Sequence, residues 1–465
     1  MKKVVSNSLA LCSMLFFSLL ITSCSLDDDS NEIPMQQNDI VATAIASSDL
    51  SSLVAALQRA NLVTALQADG PFTVFAPTNA AFQAFLTQNN FASLEDVPLD
   101  VLTQVLLNHV VSGENLSSGL STTYLNSLST AGAGGNNLSL YIDTSNGVSI
   151  NGTSNVSVPD VTASNGVIHV VDGVIGLPNI VDHALANADL SELVGALTAG
   201  GNTTFTDLLS SSTTDFTVFA PVNAAFNAFT NPNGNDLADI LSNHVIAGTV
   251  ALASGLSNSY ISTAATNADG DNLSLYINTD NGVTFNGTSN VAAADIVATN
   301  GVIHAVDAVI DIPTVVTFAV ADPTFGPLVS ALTDATPATD FVSVLSGEGP
   351  FTVFAPTDTA FQNLLDTNQD WTMVSDIEEG LLTSVLQHHV IGSTNLRSSD
   401  LSDGISAATL EGDAITVNLP GTGDNIADIT DGAGNSGIGI IAVDVQAANG
   451  VVHVLNTVLL PDTQN

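Results

Sequence analysis

The chain has 465 residues, of which 46 are Asp or Glu and only 4 are Lys or Arg, giving a formal net charge of −42. A surface this acidic repels phosphate backbones, so the composition excludes nucleic acid as a partner. The length predicts about three domains, and a hydrophobic content of 45% is enough to form their cores.

The first residues have the pattern of a bacterial targeting signal. Lys2 and Lys3 give a positively charged start, and an apolar stretch follows over 9–21. This stretch is too short for a membrane span and leads into Leu-Ile-Thr-Ser-Cys, which resembles the bacterial lipoprotein signal. The resemblance implies that residues 1–23 are a signal peptide and that Cys24 carries lipid. An ordinary secretory signal is the alternative.

The segment 24–37 is polar and acidic, and we expect it to be an unstructured tether. The acidic run behind the cysteine and the serine at position 25 resemble the sorting signals of surface lipoproteins in Gram-negative bacteria. We therefore expect a lipid-anchored protein of the outer membrane, exposed at the cell surface, that contacts the membrane through its anchor only.

Three short motifs recur in the same order three times. They are TVFAPTNAAF at 73–82, with copies at 217–226 and 352–361; NHVV at 108–111, with copies at 243–246 and 388–391; and NGVIHVVD at 165–172, with copies at 300–307 and 449–456. The repeat length is that of a domain rather than of a solenoid. The sequence therefore predicts three tandem domains, called here domain 1 (38–178), domain 2 (179–312) and domain 3 (313–461).

The TVFAP motif predicts a corner between a strand and a helix. The residues 73–76 favour a short buried strand, which the following proline ends. Thr78 or Asn79 can then cap a helix, and Asn223 and Asp358 stand at the capping position in the other copies.

Apolar residues follow this corner at helical spacing. Phe82, Phe85 and Leu86 lie at i, i+3 and i+4, which places them on one helix face. Phenylalanine at this spacing is ordinarily packing. We therefore interpret the repeated decamer as core scaffold and not as a chemical site.

The second half of each copy is expected to be rich in β-structure. Asn165-Gly166 is a tight-turn dipeptide, and 167–171 predicts a buried strand that contains His169. The stretches 137–142 and 148–150 predict a hairpin. A histidine inside a buried strand needs a hydrogen-bond partner, so we expect a structural role for it.

Together, the TVFAP box, the internal His-x-Val element and the closing NGVIHVVD box resemble the fasciclin-type domain, and all three copies carry both boxes. The resemblance implies an α+β fold of three tandem fasciclin-like domains, each a β-sandwich wedge with packed α-helices. It also implies an adhesive and non-enzymatic role, in which surface modules bind extracellular proteins or polysaccharides.

Animal members of the family carry a Tyr-His pair implicated in adhesion, and this chain departs from that pattern. The histidine stays and the tyrosine is absent at the matching positions, which are Asn108-His109, Asn243-His244 and His388-His389. These six residues are candidate interaction residues. Tyr141 and Tyr276, which repeat at one hairpin position, are further candidates for contact with a glycan.

The sequence contains no motif that predicts catalysis or a cofactor. The recurring histidines lack the short spacings of a zinc site, and neither a GxSxG nucleophile motif nor a phosphate loop with its lysine is present. A carboxylate pair for glycoside cleavage stays open as an alternative because aspartate is plentiful. Weak Ca²⁺ binding at the acidic loops 269–272 and 424–431 also stays open.

We therefore predict a lipid-anchored cell-surface adhesion protein without enzymatic activity or cofactor. Its partner is expected to be an extracellular protein or polysaccharide, and tandem copies would raise avidity. The alternative is a glycan-capture module that serves a polysaccharide degradation system.

The charge imbalance predicts that salt stabilises the folded chain. Added ions screen the repulsion among the 46 acidic side chains, so the melting temperature should rise from dilute buffer to molar NaCl. Thermal denaturation followed by circular dichroism measures this effect. An unchanged melting temperature would contradict the expectation.

Overall fold

A computed structural model describes residues 37–201, 203–333, 335 and 337–462. The predicted signal peptide, the predicted lipidation site Cys24 and all but the last residue of the tether lie outside this part of the chain. Residues from Asn38 onward belong to one structural unit. Among the described residues, no single helix is long and apolar enough to cross a membrane, although two pairs of bent, consecutive helices meet that criterion when each pair is joined.

Each domain contains five α-helices and seven strands in the described residues. Domain 1 has α1 (Ile40–Ala46), α2 (Ser51–Arg59), α3 (Val63–Leu66), α4 (Asn79–Gln88) and α5 (Leu99–Asn108), with β1 (Phe72–Pro77), β2 (Val110–Ser112), β3 (Thr123–Asn126), β4 (Ser139–Asp143), β5 (Ser149–Ile150), β6 (Ser154–Ala163) and β7 (Gly166–Val171). Domain 2 has α6 (Ile180–Ala186), α7 (Ser191–Leu197), α8 (Thr204–Leu209), α9 (Asn223–Ala228) and α10 (Leu237–Ser242), with β8 (Phe216–Pro221), β9 (Val245–Ala247), β10 (Ser259–Thr266), β11 (Asn272–Asn278), β12 (Thr284–Phe285), β13 (Ser289–Ala298) and β14 (Gly301–Val306). Domain 3 has α11 (Val315–Ala321), α12 (Gly326–Thr333), α13 (Phe341–Leu345), α14 (Asp358–Leu365) and α15 (Glu379–His388), with β15 (Phe351–Pro356), β16 (Val390–Gly392), β17 (Ser406–Ala408), β18 (Ala414–Asn418), β19 (Ala427–Thr430), β20 (Ile438–Ala447) and β21 (Gly450–Leu455).

The two repeated boxes pair with each other inside each sheet. In domain 1, β1 runs parallel to β7, with Phe75 opposite His169, and β2 pairs with the other side of β1. The order across the sheet is β2-β1-β7-β6-β5-β4-β3. Domains 2 and 3 repeat this order, with β8 parallel to β14 and β15 parallel to β21.

Glycine at the start of the second box allows the two boxes to approach. Gly166 has a φ of +148°, and a Cβ atom on it would lie 1.9 Å from the Phe72 carbonyl oxygen. Gly301 and Gly450 have the same backbone conformation, and there the distance to the matching carbonyl oxygen would be 2.1 Å. A larger residue would therefore force the parallel strands apart where both boxes begin.

The sheet curls over itself, which gives each domain two apolar layers. Strand β6 carries two register shifts next to Val158. Phe75 of β1 packs in one cluster with Leu140 and Ile142 of β4, although three strands separate β1 from β4 in the sheet order. A second cluster, which contains Phe82, lies between the sheet and the helices. This confirms the α+β fold of β-sandwich wedges with packed helices.

The repeated decamer forms the predicted corner and is scaffold. The Thr73 side chain is fully buried and its hydroxyl donates to the Gly113 carbonyl oxygen at 2.7 Å. Thr78 caps α4 by accepting from the Ala81 N–H at 3.2 Å. Phe82 is buried, and Phe85 and Leu86 on the same helix face are half-buried and pack against the core of domain 1.

The capping prediction for Asn223 and Asp358 is wrong, because both are the first residue inside their helices, α9 and α14. Asn223 instead holds the start of helix α7. Its Nδ2 donates to the Ala188 carbonyl oxygen at 2.9 Å, and its Oδ1 accepts from the Glu192 N–H at 2.9 Å. The polar residue at this position therefore joins two helices, which a local capping rule does not predict.

The asparagine of the NG pair also has a longer reach than a turn residue. Asn165 Oδ1 accepts from the Ile40 N–H at 2.9 Å, and its Nδ2 donates to the Leu66 carbonyl oxygen at 2.8 Å. Asn300 and Asn449 make the same bonds in the other domains. One buried side chain thus ties the first and third helices of each domain to the closing strand.

Candidate interaction site

The structure buries all eight described candidate interaction residues. None has more than 5% of its surface exposed; they are Asn108, His109, Tyr141, Asn243, His244, Tyr276, His388 and His389. A direct contact between these side chains and a partner does not fit their positions. Their contacts instead show what holds each domain, and the series of domains, together.

The histidine after helix α5 connects that helix to the end of the domain. His109 Nδ1 donates to the Val105 carbonyl oxygen at 2.7 Å, and its Nε2 accepts from the Ile175 N–H at 2.9 Å. His244 and His389 make the matching pairs of bonds. Burial lowers the pKa of all three to about 4, so they are neutral at pH 7.

The histidine inside the closing strand has the opposite tautomer. His169 Nε2 donates to the Asn115 carbonyl oxygen at 2.8 Å, and its Nδ1 accepts from the Asp160 N–H at 3.2 Å. His304 and His453 repeat both bonds. All six repeated histidines therefore use both ring nitrogens on the backbone, which leaves none of them available as a metal ligand or a general base.

The residue before each helix-end histidine is also bonded to a distant backbone group, which lies in the closing segment in domains 1 and 2 and in the loop between β19 and β20 in domain 3. Asn108 Nδ2 donates to the Gly176 carbonyl oxygen at 2.7 Å, and Asn243 makes the matching bond in domain 2. His388 takes this position in domain 3, where its Nε2 accepts from the Gly432 N–H at 3.0 Å. The asparagine or histidine is thus an internal tie in all three domains.

The hairpin tyrosines form the joints between domains. Tyr141 pairs with Tyr124 across β4 and β3, with ring centroids 5.0 Å apart. The ring of Tyr124 lies edge-on to His183 of helix α6 at 5.7 Å, and Asn187 Nδ2 donates to its hydroxyl at 3.3 Å. The hairpin of domain 1 therefore packs on the first helix of domain 2.

The same joint connects domains 2 and 3. Tyr276 and Tyr260 lie 4.9 Å apart, and Tyr260 is edge-on to Phe318 of helix α11 at 5.6 Å. The Tyr260 hydroxyl donates to Asp322 Oδ2 at 2.9 Å. Burial raises the pKa of Tyr276 to about 12. Both tyrosines belong to the apolar cluster of domain 3, so the core continues across the boundary.

A serine beside each hairpin tyrosine adds a polar bond to the joint. Ser139 Oγ accepts from the Val297 N–H at 2.9 Å, and Ser274 Oγ accepts from the Gln446 N–H at 2.9 Å. Each bond connects the hairpin of one domain to the sheet of the next. The repetition at matched positions indicates that the joint is a feature of the repeat itself.

The corresponding face of domain 3 is polar. Ser406 and Thr416 pair across β17 and β18 at the positions that tyrosines occupy in domains 1 and 2. Ser406 is exposed and Thr416 is half-buried. The aromatic half of the joint is therefore absent from this face of the described structure.

The acidic loops considered for calcium use carboxylates in internal contacts. Asp271 accepts from Arg397 Nη1 at 3.0 Å, and Asp269 accepts from Asn395 Nδ2 at 3.1 Å. Asp428 is buried and accepts bonds from its own loop. The described residues contain no group of three or more His, Cys, Asp or Glu placed to hold a metal ion. A calcium ion at these loops would have to compete with the present donors.

Both arginines in the described part of the chain are also engaged. Arg59 donates to the carbonyl oxygens of Glu95 and Val97 at 2.9 and 2.8 Å. Arg397 pairs with Asp271 and with Asp400. Asp271 and Asp400 are therefore the carboxylates that an arginine neutralises in the described part of the chain, and the other exterior carboxylates have no arginine partner there.

Comparisons with known proteins agree with the repeated architecture. A family model described as Fasciclin domain matches residues 48–178, 188–313 and 327–461. Transforming growth factor-beta-induced protein ig-h3 of Sus scrofa is 27% identical over 418 residues, which cover 88% of this chain and 56% of that protein. Protein sll1483 of Synechocystis is 40% identical over 136 residues, which cover 29% of this chain and 72% of that protein.

The chain thus spans little more than half the length of the ig-h3 relatives that it matches. Among solved structures, a FAS1 domain pair from the insect cell adhesion molecule fasciclin I is similar with a TM-score of 0.38 and 20% identity. That similarity covers 59% of this chain and 98% of the domain pair.

The joint can be tested with the substitution Tyr276→Ala. Removing a buried aromatic ring costs about 3–5 kcal/mol, and here the loss falls on the contact between domains 2 and 3. We expect limited proteolysis to cut the linker near 307–314 under native conditions. Small-angle scattering should show a larger radius of gyration.

The matched control is Phe216→Ala, which removes a fully buried aromatic ring from a cluster of domain 2 that contains no residue of the linker. It should lower the stability of that domain without exposing the linker. Equal cleavage of the linker in the two variants would contradict the role of Tyr276 in holding domains 2 and 3 together.

The helix-end histidines predict a loss of stability in acid. Their pKa is about 4 in the folded chain against 6.5 ordinarily, so the unfolded chain binds more protons between these values. Their contribution is complete above pH 6.5 and is lost as the pH falls toward 4. Each histidine adds a slope of up to about 1.4 kcal/mol per pH unit, measurable by urea denaturation at several pH values. His244→Gln should be less stable at pH 7.5 and should show a smaller slope; an unchanged slope would contradict this origin.

Proposed function

This chain belongs to the fasciclin domain family, and from that premise we propose that it is a lipid-anchored adhesion protein of the bacterial cell surface. It binds an extracellular protein or polysaccharide through the exterior of its three domains. The joints support this proposal most directly, because a continuous core holds the three exteriors in one array. An array that presents several faces at fixed spacing gains avidity for a repetitive partner.

The proposal involves no enzymatic step and no cofactor. The six repeated histidines use both ring nitrogens on backbone groups, so they support structure and leave the exterior to make the contacts. The acidic exterior favours neutral partners or partners with a cationic surface.

Anchoring is proposed from the sequence around Cys24. A Leu-Ile-Thr-Ser-Cys end to the apolar stretch fits lipid attachment at this cysteine, and the acidic residues behind it fit export to the cell surface. Several acyl chains would hold the protein durably in the outer membrane. The tether would then separate the three domains from the lipid.

The function is tested in the native bacterium with a deletion strain that is complemented by wild type or by Cys24→Ala. We expect the deletion to reduce adhesion to immobilised matrix proteins and polysaccharides, and wild type to restore it. The Cys24→Ala protein should be shed into the medium, take up no alkyne-palmitate label and fail to restore adhesion.

Protease treatment of intact cells should remove the wild-type protein from the surface. A deletion strain that adheres as well as its parent would overturn the adhesive function. A labelled protein that resists protease on intact cells would overturn the exposure at the cell surface.

A further inference from the structure

A cleft opens at the joint between domains 1 and 2. Its volume is about 640 Å³, within the roughly 300–1,000 Å³ of small-ligand sites. The lining residues come from α4 and α5, the turn 151–153, the linker 174–178 and helix α6. Both domains therefore contribute to it.

Apolar side chains from both domains line this cleft. Phe85 and Phe91 are half-buried, with ring centroids 6.5 Å apart, and both pack on the core of domain 1 while lining the cleft. Leu185 of helix α6 also lines the cleft and is 64% exposed. The face of an aromatic ring attracts polarised C–H groups, such as those on the apolar face of a pyranose.

Neutral polar groups line the same cleft. Gln88 and Thr153 are exposed, and their side chains have no hydrogen-bond partner within the described residues. Asn151 uses its Oδ1 to accept from the Tyr141 N–H at 2.7 Å, and its Nδ2 has no partner in the same part of the chain. Amides and a hydroxyl in this state match the donors and acceptors of sugar hydroxyls.

Charge restricts the ligand further. Of the described residues that line the cleft, Asp182 alone carries a charged side chain. One of its carboxylate oxygens accepts from the Asn179 N–H at 2.9 Å. An acidic glycan or a fatty acid would meet this carboxylate and the net charge of −42 without a cation to pair with. The cleft is therefore complementary to an uncharged ligand.

The matching position of the next joint is built from different residues. Asp311 replaces Gly176, and its carboxylate accepts from Asn233 and Asn235 at 3.0 and 2.9 Å. Helix α10 has six residues where α5 has ten. The difference provides an internal control, because Val320 occupies on α11 the position of Leu185 on α6 and is 66% exposed.

We propose that the cleft between domains 1 and 2 binds an uncharged oligosaccharide segment. A pyranose face lies against Phe85 and Phe91, and the sugar hydroxyls bond to Gln88 and Asn151. This proposal rests on the proposed adhesive function and specifies a neutral polysaccharide as the partner.

The test uses the full chain and saturation-transfer NMR with cellohexaose, xylohexaose, mannohexaose and laminarihexaose, with oligogalacturonate as the acidic comparison. We expect at least one neutral hexasaccharide to bind and oligogalacturonate not to bind. Gln88→Ala combined with Leu185→Ser should weaken binding about tenfold. Val320→Ser should change it less than twofold. All three substituted positions are exposed, and melting temperatures within a few degrees of wild type verify the fold.

The inference is overturned if no neutral hexasaccharide binds at millimolar concentration, or if the double variant binds as well as wild type. If the double variant loses binding to an immobilised matrix protein and the wild type binds no sugar, the cleft binds a peptide. This result would also overturn the inference. If the strain with the double variant adheres normally while the deletion strain does not, the cleft is not the site of adhesion. The adhesive function itself is then unaffected. If a neutral sugar binds to the cleft but the deletion strain adheres normally, the adhesive function is overturned and the sugar site remains.

Discussion

The parallel pairing of the two repeated boxes is the constraint on which each domain depends. Phe72–Pro77 and Gly166–Val171 lie far apart in the sequence, yet they are adjacent in the sheet and stack Phe75 on His169 at 5.6 Å. The chain between the two strands must therefore begin and end at neighbouring positions in the sheet. The remaining strands, the helices and the histidine ties are consequences of that closure, which makes folding dependent on non-local contacts.

The polar residues of the boxes bind backbone atoms, and this explains why they recur while the exterior varies. His109 holds a helix end to the closing segment, and Asn165 holds the first helix to the closing strand. A backbone partner does not change when surrounding side chains change, so three diverging copies can keep the same bonds. The parts that can differ between copies are the loops and helix faces, and the cleft at the first joint is built from these.

Sequence reasoning could predict the strand-helix corner, the buried histidines and the three domains, because each follows from local patterns and their repetition. It could not predict the joint, because Tyr141 alternates with Leu140 and Ile142 as any residue on a solvated sheet face would. What covers that face is His183 from another domain, and no local rule supplies it. The available signal was that Tyr124 recurs as Tyr260 beside the second repeated tyrosine.

The serine and threonine face of domain 3 sets a limit on assembly. Ser406 and Thr416 offer no aromatic surface to bury against the first helix of another molecule. If separate chains associated head to tail in the way that the domains of one chain do, the contact would lack the aromatic packing of the joint. A polar end face of this kind works against open-ended, head-to-tail association, which is a hazard for any chain built from repeats that stack on one another.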